Sequence, residues 1–126
     1  MRKTLSAVFA ILALSLAPPA AAVGGHDHTP KHGGVVAEVK DFDLELVVTT
    51  DRVRLYLRDH GNPVKLDGAN AKVTLLAETE KVEVNLTPVG GALEAKGSFK
   101  AGKGVKAVAV VSLPGKAPLT ARFALK

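Results

Sequence analysis

Three of the chain's four histidines fall within one short polar stretch, Val23 to Gly34, which reads VGGHDHTPKHGG. Neutral imidazole is the commonest protein ligand for transition metals and suits zinc, copper and nickel. His26 and His28 are one residue apart, so in extended backbone both rings project to the same side, about 7 Å from each other. A bend at Asp27 brings them onto one ion. His32 follows a Thr-Pro-Lys turn and supplies a third nitrogen, while Asp27 offers an oxygen. The candidate metal set is therefore His26, Asp27, His28 and His32, joined by His60 if the loop that carries it folds beside this stretch. A free leader must be ordered before it can chelate, at about 1–2 kcal/mol per residue fixed. Weak to moderate affinity and little geometric selectivity are expected. The chain has no cysteine and a single methionine, Met1, so thiolate and thioether sites do not arise. The plainer reading is a polar leader in front of a folded domain. Density favours the metal, since a short His-rich tract is itself a compositional metal signal.

What precedes the stretch sets the compartment. Met1-Arg2-Lys3 is a basic start, Leu5 to Leu16 is an uncharged run of apolar and small residues, and Ala20-Ala21-Ala22 supplies a small-residue cleavage site. These three parts describe a secretory signal peptide over residues 1–22. The apolar run is well short of the ~20 residues that span a bilayer, and Pro18-Pro19 stop a helix there. The expected mature protein is periplasmic and starts at Val23. Cleavage one residue later would expose Gly24-Gly25-His26, whose amine, two amides and imidazole form a square-planar site for Cu(II) or Ni(II).

The remaining chain, about 100 residues, is one domain's worth. A flexible His/Gly-rich leader, 23–33, is expected to precede a domain over 34–126. The formal net charge of +5 includes Arg2 and Lys3, and the other charges are interspersed. Nucleic acid would demand a clustered basic stripe, so no nucleic-acid partner is expected.

Downstream of Gly34 the pattern has period 2. Phe42, Leu44, Leu46 and Val48 alternate with polar residues, and so do Val53, Leu55 and Leu57. Asp59–Pro63 is dense in turn formers. Further strands are read in AKVTLLAE, VEVNLTP, the segment after Gly90-Gly91, GVKAVAVVSL (expected to be covered on both faces) and LTARFALK. No window of helical period occurs outside the signal. About seven short strands with frequent turns predict an all-β, immunoglobulin-like antiparallel sandwich, with a small closed barrel as the alternative.

Asp41, Asp43 and Glu45 share the outer side of one strand, and Arg52, Arg54 and Arg58 the outer side of the next. Outward positions on a half-solvated sheet are normally charged, so both rows are read as solvated faces with cross-strand ion pairs. His60 has an ordinary role too, as a turn residue that accepts left-handed backbone. No nucleophile elbow, phosphate loop or acid–base pair is found, and an enzyme is not expected.

Within KHGGVVAEVKDFDLELVVTTDRVRLYLRDHGNPVKL, three segments stand out: His32-Gly33-Gly34, Leu44-Glu45-Leu46-Val47, and Leu55-Tyr56-Leu57 through Asp59, Gly61, Pro63 and Val64. This half of the mature chain resembles the N-terminal β-sandwich segment of periplasmic adaptor subunits of heavy-metal efflux pumps, and small stand-alone exported proteins of that type. The resemblance implies a metal-handling role in the envelope, with His32 the best-matched ligand and an efflux-pump adaptor as a possible partner. The helical hairpin and lipoyl-like segments that an adaptor uses to bridge a pump are missing here. A non-catalytic protein-interaction sandwich with incidental histidines is the alternative.

Overall fold

A computed structural model describes residues 28–126. His26, Asp27 and the expected signal peptide lie outside the described residues.

The alternation becomes strands where it was read. The first four are β1 (Val35–Val39), β2 (Phe42–Val48), β3 (Arg52–Asp59) and a two-residue β4 (Asn62–Pro63). They are followed by β5 (Asn70–Ala77), β6 (Glu80–Val89), β7 (Ala92–Lys96), β8 (Lys106–Ser112) and β9 (Leu119–Ala124). All pairings are antiparallel, in the order β1-β2-β3-β7-β6-β5-β8-β9, with β4 beside β3. The protein is an all-β sandwich-type fold, nearly a barrel. No helix among the described residues is long and apolar enough to cross a membrane.

One strand joins the two sheets. The first part of β6 pairs with β5, from Glu80 to Leu86, and its end, Thr87 to Val89, pairs with β7. The first sheet is thus β1-β2-β3-β7 and the second β5-β8-β9, with β6 passing from one to the other. Strands β5, β6 and β7 are linked by short turns, and β8 returns to lie beside β5, a Greek-key arrangement. The nine strands exceed the expected seven, one of the additions being the two-residue Asn62–Pro63, which pairs with β3.

Tight turns fix the registers. His60 and Gly61 have φ of 52° and 84°, and Gly90 and Gly91 have φ of 55° and 85°. Two successive positive-φ residues are what a type I′ hairpin turn needs, and its twist matches that of the strands. The β1–β2 hairpin turns on Lys40-Asp41, with Lys40 at φ 56°, and so sets Val39 opposite Phe42 and Glu38 opposite Asp43.

Between the sheets lies an apolar core. Leu44, Leu46, Val53 and Leu55 from one side meet Val73, Leu86, Ala109 and Val111 from the other, all with no exposed surface. The expectation that β8 is covered on both faces is corrected: its outer residues alternate to solvent, and Val110 is 37% exposed. Among the described residues none buries this outer face, so valine there reflects strand preference rather than burial.

The charged rows need a larger correction. Asp43, Glu45, Arg58 and Glu94 all point away from the core, yet all four are buried, Glu45 to 1% exposure. Residues 28–34 lie across Asp43, Glu45 and Arg58 on the outer face of β2 and β3, whereas Arg52 and Arg54, which cover Glu94, remain partly exposed.

A candidate metal centre under the N-terminal strap

Glu45 explains why the strap lies where it does. The backbone N–H of Lys31 donates to its Oε1 at 2.8 Å, and those of His32 and Gly34 donate to its Oε2 at 2.8 and 2.9 Å. Burial pushes the Glu45 carboxyl up, but the three amides together outweigh it and hold the pKa below the usual range. Arg58 adds a cation at 3.6 Å from Oε1, and its Nη2 donates to the carbonyl of Thr29 at 3.3 Å. The same guanidinium leaves Nε and Nη1 buried without hydrogen bonds.

Two further contacts fasten the strap. The His32 ring stacks on Tyr56 at 3.6 Å between centroids and 8° between planes. Gly34 passes so close to β2 that a Cβ there would sit 2.3 Å from the carbonyl oxygen of Leu46. Glycine is required at that point by proximity alone.

At the strap's first described residue the chemistry changes. His28 Nδ1 lies 2.9 Å from Asp43 Oδ1, and its Nε2 lies 3.2 Å from Glu38 Oε2. One ligand atom from each of His28, Glu38 and Asp43 falls within 4.8 Å of the others, a possible metal-binding triad. The Asp43 side chain is 6% exposed, whereas those of His28 and Glu38 are about half exposed. The triad therefore has a buried floor and an open mouth.

No family model, curated protein or solved structure matches the chain. What the site can do therefore rests on its own atoms. One imidazole and two carboxylates make a nitrogen–oxygen donor set of the kind zinc accepts, and three protein donors leave a position for water or an incoming ligand. Each ring nitrogen faces one carboxylate, and an ion takes only one ring nitrogen as ligand, so gathering all three donors on one ion requires the His28 ring to turn over the carboxylates.

The sequence-predicted residues are distributed unevenly over this geometry. His28 belongs to the triad. His32 does not: its amide serves Glu45 and its ring serves Tyr56. His60 occupies the left-handed turn position, beside Asp59 at 2.5 Å. Its loop does approach the strap, since Gly61 and Pro63 line a cavity with Lys31 and His32, but His60 is not in the triad. His26 and Asp27 directly precede the described residues.

The alternating pattern makes Asp43 a surface charge and leaves Glu38 outside the expected ligand set. A signal for both was present. A two-residue turn at Lys40-Asp41 makes Glu38 and Asp43 direct cross-strand partners, and like charges directly opposite destabilise a hairpin. Such a pair calls for a cation between or above it.

The basic row on β3 has a different neighbour. Arg54 and Arg52 place Nε at 3.0 and 3.5 Å from the buried Glu94 Oε1 on β7, and Arg54 also lies over the Tyr56 ring at 5.2 Å. Arg54 Nε makes no aligned hydrogen bond despite its short distance, so this contact is an ion pair only.

Proposed function

We propose that this protein is a periplasmic metal-binding protein that handles a divalent transition metal, zinc, copper or nickel, in heavy-metal efflux or homeostasis. Support comes above all from His28, carried by the strap, meeting Glu38 and Asp43, carried by the sandwich, with ligand atoms within 4.8 Å. The nitrogen–oxygen donor set is acceptable to any of the three, and the half-open mouth suits an ion that is loaded and released. The signal-like residues 1–22 support export, and the resemblance of residues 32–64 to efflux adaptors supports the efflux context. The role is binding and transfer rather than catalysis.

Calorimetric titration of purified protein with Zn(II), Cu(II) and Ni(II) tests this. One ion should bind per chain, with affinity falling at least tenfold in His28→Ala and in Asp43→Asn. His60→Ala should bind as the parent does. Affinity should also drop on acidification, because imidazolium has no lone pair to donate. Equal binding by the parent and both ligand variants would remove the triad from the function.

A further inference from the structure

We infer that residues 28–34 form a metal-locked strap over the β2–β3 face, with Glu45 as the positioning residue that holds His28 in register above the carboxylates. This rests on the metal reading of the triad and adds its regulation.

Glu45 is not a member of the triad. Its three hydrogen bonds all come from the strap, from the amides of Lys31, His32 and Gly34. Two residues away on the same face of β2, Asp43 meets His28. The strap is thus pinned at both ends: by Glu45, the Tyr56 stack and the Gly34 approach at one, and by the triad at the other. Once Glu45 has fixed 31–34, only a few residues remain between the clasp and His28. The imidazole is then presented to Glu38 and Asp43 at high effective concentration instead of being recruited from a free chain.

Coupling of this kind is reciprocal. If strap closure raises metal affinity, bound metal raises strap closure by the same factor. Metal loss releases the N-terminal anchor, leaves the clasp to hold alone, and favours states in which the charged row Asp43, Glu45 and Arg58 is uncovered. Metal occupancy is in this way converted into exposure of one face of the sandwich.

Amide hydrogen exchange by NMR on the full chain, with and without Zn(II), reads the strap directly. Saturating zinc should slow exchange at Lys31, His32 and Gly34 by tenfold or more, and leave the Thr79 amide in the turn between β5 and β6, which exchanges by local opening, unchanged. Zinc affinity, measured in parallel, should fall several-fold in Glu45→Asp, which keeps the charge but withdraws the carboxylate by one methylene. Tyr56→Leu should weaken zinc likewise, and Tyr56→Phe, which keeps the stack, should restore it. Zinc that perturbs the His28 ring but leaves the three amides and the variants' affinities unchanged would overturn the strap and spare the metal site. Failure of zinc to bind at all would overturn both.

Discussion

Two outer faces of this sandwich carry the same alternating pattern and have opposite fates. On the second sheet, Lys72 of β5 and Glu83 of β6 pair at 3.0 Å with about half of each side chain exposed. On the first sheet, Glu45 of β2 and Arg58 of β3 are buried beneath the strap. The first pair gains little from its Coulomb attraction, because water competes for both ions. The second could not exist without the hydrogen bonds that replace water, and Glu45 receives three of them. Alternation specifies which residues leave the core. It does not specify what then covers them.

Substitutions can break or sharpen this contrast. The largest effect is expected from Glu45→Gln, which sets an amide NH₂ against backbone donors and removes charge-assisted bonds. A loss of about 3 kcal/mol, or a drop of roughly 10–20 °C in melting temperature, is predicted by calorimetry or urea unfolding. Gly34→Ala should cost about 1–3 kcal/mol, since the Leu46 carbonyl leaves no room for a methyl group. Arg58→Met should cost about 1–2 kcal/mol, less than the ~3–5 kcal/mol usual on removing one partner of a buried ion pair, because two of the guanidinium nitrogens are unbonded and three amides still satisfy Glu45. The smallest effect belongs to Glu83→Gln, whose exposed partner is well solvated without it. If Glu83 proved as costly as Glu45, burial would not be what separates the faces.

Acid sharpens the same comparison. The folded-state pKa of Glu45 is depressed, so its contribution is fully present above the ordinary glutamate range and is lost as pH falls through the folded value. In chelator-treated protein, the stability advantage of the parent over Glu45→Gln should hold at pH 7 and shrink below about pH 4. Glu83 is also depressed, through its Lys72 hydrogen bond, and follows the same sign with a smaller amplitude.

Much of the fold was legible because it is local. Period-2 segments gave the strands, and Asp59–Pro63 and Gly90-Gly91 gave the turns. The strap was not legible, because its contacts join residues 28–34 to positions on β2 and β3 that only the pairing register brings within reach. Of the expected leader ligands, His26 and Asp27 lie outside the described residues, His32 packs on Tyr56, and His28 lies beside carboxylate oxygens on β1 and β2. Valine in β8 misled in the other direction, since Val110 faces solvent.

The central claim is that one imidazole from the strap and two carboxylates from the sandwich hold a single ion. Following the histidine side-chain NMR signals during a Zn(II) titration at neutral pH tests it most directly. The His28 ring should shift in proportion to zinc and saturate at one equivalent, with His60 unmoved. A titration in which His60 responds and His28 does not, or in which no imidazole moves, would contradict it.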